Sequence, residues 1–97
     1  MKKSKVKELI KESVGGESIR TEDEYGSIFF KLPNGKLHRE NGPAVEFTNG
    51  DKSWYINGKW HREDGPAVEH ADGYKWWFLN GIQYTELQWE YEMRVNG

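Results

Sequence analysis

The chain contains no cysteine. A disulfide framework and a thiolate metal site are therefore excluded, and the composition fits a reducing compartment, most simply the cytoplasm. It has no excess of positive charge: the net charge is −2. That argues against binding of a phosphate backbone as its main role, and so against nucleic acid as a partner. It also lacks a long apolar run. The N-terminus is basic at Lys2, Lys3, Lys5 and Lys7, but neither a signal peptide nor a transmembrane segment is expected after it, and no membrane partner follows. A phosphate loop, a metal-ligand cluster and an activated nucleophile are missing as well, so no cofactor and no metal are expected. With 97 residues the chain reads as one small domain, with a modest core and marginal stability unless it associates.

Glycine and aromatic residues are abundant. The 11 glycines suit a chain with many tight turns. Five tryptophans, five tyrosines and four phenylalanines can build a core from few side chains, or supply a binding surface.

The strongest pattern is a duplication. Gly35-Lys36-Leu37-His38-Arg39-Glu40-Asn41-Gly42-Pro43-Ala44-Val45-Glu46 recurs from Gly58 to Glu69 with ten of twelve positions identical, at a constant offset of 23 residues. A fixed period marks a repeat architecture. A motif present in every repeat is usually required by every repeat to fold, whereas a catalytic residue is needed once.

Around the motif, hydrophobicity alternates with period two. Residues 43–47 and 52–56 read as strands, separated by Asn49-Gly50 and followed by Asn57-Gly58. Asn34-Gly35, Asp72-Gly73 and Asn80-Gly81 complete five such dipeptides. They predict hairpin turns with positive φ at both central residues. Phe30, Trp54 and Trp77 correspond across units, as do Leu32, Ile56 and Leu79, with Pro33 as a one-residue insertion in the first unit. These alternating positions predict the buried face, and Tyr55 and Phe78 the opposite one.

The ends differ. Residues 4–14 predict a short helix with Val6, Leu9 and Ile10 on one side, and residues 17–25 an acidic linker. The third unit drops the His-Arg-Glu motif, as a terminal capping repeat does. Thr85-Glu86-Leu87-Gln88 matches a capping box, with Tyr84 and Trp89 spaced as a hydrophobic staple, and predicts a helix over about 86–94. The division is thus 1–25, an N-terminal helix and linker, and 26–97, a β-repeat domain with a C-terminal capping helix. The fold class expected is mainly β, an antiparallel meander of about three hairpin repeats with short terminal helices.

The 23-residue period and glycine-punctuated hairpin resemble MORN repeats. The core Gly-Lys-x-His-Arg-Glu-x-Gly-Pro-Ala, over residues 26 to about 90, is more similar to a repeat of small tailed-bacteriophage proteins. The Tyr-x-Gly elements of ordinary MORN units are missing, so lipid binding is not carried over. The resemblance implies an accessory phage protein in the host cytoplasm. It would inhibit or sequester a component of bacterial immunity, either a protein effector or a nucleotide signal.

Candidate contact residues are His38, Arg39, His61 and Arg62, with Trp60 and Trp76. Arginine forks to phosphate and histidine donates to it, so the two His-Arg pairs suit an anionic ligand. The alternative is a network within each repeat, in which Arg39 and Arg62 pair with Glu46 and Glu69 and the histidines bond a backbone carbonyl. With two strands per repeat the pairs lie about 10 Å apart. That is awkward for a shared metal and wide for acid–base work on one atom, but it suits two phosphates of one extended ligand; a symmetric homodimer would bring the sites closer. Trp60 and Trp76 depart from the repeat, replacing Leu37 and Ser53, as His70 and Tyr74 replace Phe47 and Asp51. They read either as a stacking or anchoring surface or as cover for the sheet beneath the terminal helices. Two further readings stand beside a non-enzymatic binding protein. One is a small nucleotide phosphodiesterase or nuclease using His38 and His61 as acid and base. The other is a self-associating repeat module.

Overall fold

The computed structural model describes residues 18–96. The expected helix over 4–14 lies outside them. The described chain is mainly β, an antiparallel hairpin meander closed by one helix. Its strands are β1 (Ile19–Glu22), β2 (Ile28–Lys31), β3 (Val45–Glu46), β4 (Lys52–Ser53), β5 (Tyr55–Ile56), β6 (Lys59–Trp60), β7 (Val68–Glu69), β8 (Lys75–Leu79) and β9 (Ile82–Tyr84), and the helix is α1 (Glu86–Asn96). Seven strands form one sheet in the order β1-β2-β3-β4-β7-β8-β9, and β5 pairs with β6 in a small second sheet.

The segment read as an acidic linker contains β1, which pairs along its whole length with β2. Its polar composition hid it. The turn into β2 is held by Asp23, whose Oδ1 accepts the amides of Tyr25 and Ser27, both at 2.9 Å. An aspartate that satisfies two turn amides is turn chemistry rather than linker chemistry.

The Asn-Gly and Asp-Gly turns divide into two kinds. Asn57 and Asn80 both have φ of 54°, followed by Gly58 and Gly81 at 83°. These are the two-residue turns expected of Asn-Gly. At Asn34-Gly35, Asn49-Gly50 and Asp72-Gly73 only the glycine has positive φ. In the second of these, Gly50 donates to Phe47 O at 3.0 Å and Phe47 to Asp51 O at 2.9 Å. That is a three-residue loop closed by a left-handed glycine. Its asparagine Oδ1 accepts the Asp51 amide at 2.9 Å. Pro33 supplies the extra residue that makes the first unit's turn of this second kind.

One strand also breaks. Residues 52–56 read as continuous, but β4 belongs to the large sheet and β5 to the small one, with Trp54 at the junction. The Trp54 amide donates to Ala67 O at 2.7 Å and its carbonyl accepts from His61 at 3.1 Å. The middle unit's strand is thus interrupted at this residue, whereas the corresponding Phe30 and Trp77 lie inside the continuous strands β2 and β8.

The register sorts side chains by face. Thr21, Phe29, Val45, Ser53, Val68 and Trp76 are successive Cα partners, and so share one side. Ile28, Glu46, Lys52, Glu69 and Lys75 share the other. There the Glu46, Lys52, Glu69 and Lys75 positions alternate in charge across four neighbouring strands. The buried apolar residues are Leu32, Ala44, Val45, Ile56, Ala67 and Val68. Most of the core is thus the Ala-Val of each motif copy, with Leu32 and Ile56 from the alternating strands. Phe30, Trp54, Trp77 and Leu79 are only half-buried.

Candidate functional site

The duplicated motif folds the same way twice. His38 is 2% exposed and His61 3%. The Nδ1 of His38 accepts the amide of Asn57, and that of His61 the amide of Asn80, each at 2.8 Å. Each histidine therefore satisfies the first amide of the Asn-Gly turn in the next unit. An accepting Nδ1 leaves the ring proton on Nε2. That nitrogen of His61 faces Glu63 Oε2 at 2.9 Å, and that of His38 faces Glu40 Oε2 at 3.7 Å. The expectation that the histidines bond a carbonyl is corrected: they accept from an N–H, because the turn presents an orphan donor. Burial and these bonds also take both rings away from a ligand, and the acid–base reading has no exposed imidazole among them.

Arg39 and Arg62 are held as firmly. The guanidinium carbon of Arg62 lies 3.8 Å from the centre of the Trp54 ring, and that of Arg39 3.9 Å from the centre of the Phe30 ring. Arg62 Nη1 donates to Pro66 O at 3.0 Å and to Glu69 Oε2 at 2.8 Å, while its Nε donates to Asp64 at 2.7 Å. Arg39 Nη1 donates to Pro43 O at 3.1 Å and lies 3.6 Å from Glu46. On the far side of each guanidinium is a glycine. A Cβ on Gly65 would sit 2.7 Å from Arg62 Cζ, and one on Gly42 3.1 Å from Arg39 Cζ. Aromatic face, arginine and glycine form a three-layer stack, and the following proline carbonyl completes it. The His-Arg-Glu-x-Gly-Pro-Ala segment is accounted for residue by residue as the joint between units.

The third unit has no such arginine. Its aromatic, Trp77, is covered instead by Trp89 of α1, with ring centres 4.8 Å apart. Trp89 Nε1 also donates to Arg62 O at 3.0 Å. The capping box forms as read: Thr85 Oγ1 accepts the Gln88 amide at 3.1 Å, and Gln88 Oε1 accepts the Thr85 amide at 3.0 Å. The helix caps the array by placing an indole where the next guanidinium would lie.

Trp60 and Trp76 belong to the other face. Trp76 is a register partner of Val68. The Trp60 ring packs between Tyr55 at 5.8 Å and Phe78 at 4.8 Å between centres. Burial here pushes the Tyr55 hydroxyl above its ordinary range. Trp60, Val68, His70, Trp76, Phe78 and Gln83 line an open groove of about 500 Å³. Trp60 stays 38% exposed and Trp76 42%. The structure brings the two tryptophans to one groove and puts the arginines elsewhere, against Glu46 and Glu69 on the charged face. Since α1 packs through Trp89 on Trp77, the groove is not roofed by that helix. His70 and Phe78 complete it, and their signal in the sequence is that both occupy the face shared by Trp76.

At the groove's margin Asp51 Oδ1 accepts the Ala71 amide at 2.7 Å, and His70 Nδ1 lies 3.4 Å from Asp51 Oδ2. The hydrogen bond donated by the Ala71 amide holds the Asp51 carboxyl below its ordinary range, with Asn49 and His70 adding to it. This pair ties the loop at Asn49-Gly50 to the loop at Asp72-Gly73.

Among the described residues no group of three histidine, cysteine, aspartate or glutamate side chains is placed to hold a metal ion. No helix among them is long and apolar enough to cross a membrane. No protein-family model, curated protein or solved structure matches the chain.

Proposed function

We propose that this chain is a non-enzymatic binding protein that grips a protein partner through its aromatic groove. One observation carries the reading. Trp60 and Trp76, the tryptophans that depart from the repeat, lie partly exposed in one groove, Trp76 on the sheet face opposite Trp77. Half-exposed tryptophans grouped on a rigid sheet suit an apolar anchor from another protein, where tryptophan dominates contact energies. The arginines that would fork to phosphate are engaged on the opposite face, which favours a protein over a nucleotide signal. The likeness of the repeat to those of tailed-phage proteins makes a protein effector of bacterial immunity the partner class to test first.

The test compares wild type with a Trp60→Ala/Trp76→Ala variant as bait in lysate of phage-infected bacteria. Both baits must give the same circular dichroism. The proposal expects a partner held by wild type and lost from the variant. Equal recovery by both sinks the groove as the site. Calorimetric heat with cyclic nucleotides, abolished by Arg62→Ala, would overturn the choice of a protein partner.

A further inference from the structure

The sheet ends at β9, and the outer side of that strand is open. The Asn80-Gly81 turn has two residues, so Leu79 and Ile82 exchange backbone bonds and Gln83 turns its N–H and C=O away from β8. Leu37 and Trp60 hold the same place in the earlier units, and there the following unit uses it. Leu37 O accepts from Gly58 N and Trp60 O from Gly81 N, both at 2.8 Å. In the third unit α1 follows instead, and among the described residues nothing bonds the N–H or C=O of Gln83. Gln83 also separates two open surfaces. On one side lies the aromatic groove. On the other, a groove of about 440 Å³ is lined by Gln83, Tyr84, Leu87, Gln88, Tyr91 and Glu92. Leu87 is 78% exposed there and Tyr91 60%.

We infer that β9 takes an extended segment of a partner protein as an added strand, paired through the N–H and C=O of Gln83. The segment continues the joint that binds unit to unit, at the one of its three positions that no following unit uses. Backbone pairing at a sheet edge supplies affinity, and pockets for alternate side chains supply specificity. Successive side chains of an added strand point to opposite faces. Those on one face extend the aromatic groove, because Gln83 and Phe78 are register partners. Those on the other meet Leu87 and Tyr91 of α1, which packs on the Trp77 side. The segment is therefore apolar at alternate positions. The inference names the form of the partner proposed above, and rests on that reading for its side chains but not for its pairing.

The opposite edge of the sheet is built to refuse a strand. Phe30 donates to Ala44 O, toward β3, so its partner Arg20 and likewise Glu22 of β1 turn outward. Their side chains pair at 3.6 Å, and charge on an edge resists a further strand. β9 carries Ile82, Gln83 and Tyr84 and no charge. A second copy is disfavoured there. Pairing β9 with β9 brings together two α1 helices that each hold Glu86, Glu90 and Glu92 against Arg94. A neutral or basic segment meets no such repulsion. The chain's own residues 1–17 also fit poorly. The sequence predicts a helix over 4–14, whose backbone groups bond within the helix. Residues 15–17 then span about 10 Å at most, against about 29 Å for the six strand spacings from β1 to β9.

Selection of binders to the full chain from a displayed library of random twelve-residue peptides tests it. Selected peptides are expected to carry apolar residues at alternate positions and to protect the Gln83 amide from hydrogen exchange. N-methylating the peptide residue that faces Gln83 removes one N–H and should weaken binding about tenfold or more. Gln83→Pro should do the same with unchanged circular dichroism, since proline is tolerated where an edge N–H faces solvent. Gln83→Ala keeps the amide and should bind within about threefold of wild type. If Gln83→Pro does not fold, exchange and the N-methyl scan on wild type decide alone. An empty selection overturns the inference, as do peptides that leave Gln83 exchange unchanged or tolerate N-methylation at every position. So does a Gln83 amide already protected in the free protein and released by deleting residues 1–17, or protected only at high protein concentration. Those two results assign the edge to the chain's own segment and to a second copy. Binding lost from Trp60→Ala/Trp76→Ala but kept by Gln83→Pro leaves the groove proposal and removes the added strand. Binding lost from Gln83→Pro but kept by the double tryptophan variant does the reverse.

Discussion

The amide of Asn80 donates to Nδ1 of His61 at 2.8 Å, and Asn57 makes the same bond to His38 one repeat earlier. Each bond joins the histidine of one unit to the turn of the next, so the array is stitched unit to unit by a buried side chain and an otherwise orphan amide. His61→Ala removes the acceptor and leaves a cavity, with an expected loss of about 2–4 kcal/mol in urea unfolding. His61→Asn keeps an acceptor near the Nδ1 position and should recover part of that loss. Hydrogen exchange at the Asn80 amide gives the residue-level readout. An unchanged exchange rate in His61→Ala would mean that the bond does not protect the turn.

The arginine stack makes a graded prediction about two glycines. Gly65→Ala puts a methyl 2.7 Å from Arg62 Cζ, against 3.1 Å for Gly42→Ala and Arg39. Arg62 is pinned by Trp54, Pro66 and Glu69 and has little room to retreat. Gly65→Ala is expected to cost about 1–3 kcal/mol, as overpacking does, and Gly42→Ala less. Denaturant midpoints of the two variants check the order. Equal effects would show that the tighter approach is relieved without penalty.

The two kinds of turn respond differently to the same substitution. Asn57 has φ of 54°, so Asn57→Gly should be nearly neutral and Asn57→Ala should cost about 1 kcal/mol. Asn49 is outside the positive-φ set, and Asn49→Gly gains nothing there while losing the side-chain bond to Asp51. Thermal unfolding of the four single variants, with Asn49→Ala as the last, tests whether backbone conformation or side-chain bonding governs each site.

Acid stability should depend on Asp51. Its folded carboxyl is held below the ordinary value of 3.8, first by the Ala71 amide. A depressed carboxylate contributes stability that is fully present above the unfolded value and is lost as pH falls through the folded value. Wild type should therefore lose stability progressively below about pH 4. Asp51→Asn should be less stable near neutrality and show a shallower decline in acid. Melting temperatures between neutral and acid pH check the slopes, and parallel curves would remove Asp51 from the acid response.

The period, the hairpin turns, the capping box and the dropped motif of the third unit follow from local residue order. Turn residues, caps and alternating strands act over a few neighbours, and so they are legible one segment at a time. The candidate active residues were legible too, but only as residue types. A His-Arg pair has the same spelling whether it faces a ligand or a neighbouring repeat. Only the packed structure shows that Nδ1 meets an amide 19 residues away and that the guanidinium lies between a ring and a glycine. β1 was hidden because an edge strand needs a partner more than it needs hydrophobic side chains. Which tryptophans are covered was likewise a matter of faces: the register puts Trp76 on one side and α1 packs on the other through Trp77. Local order determined the repeat and its turns. Long-range contact decided that the duplicated motif builds the fold and that the departures from it, Trp60 and Trp76, carry the open surface.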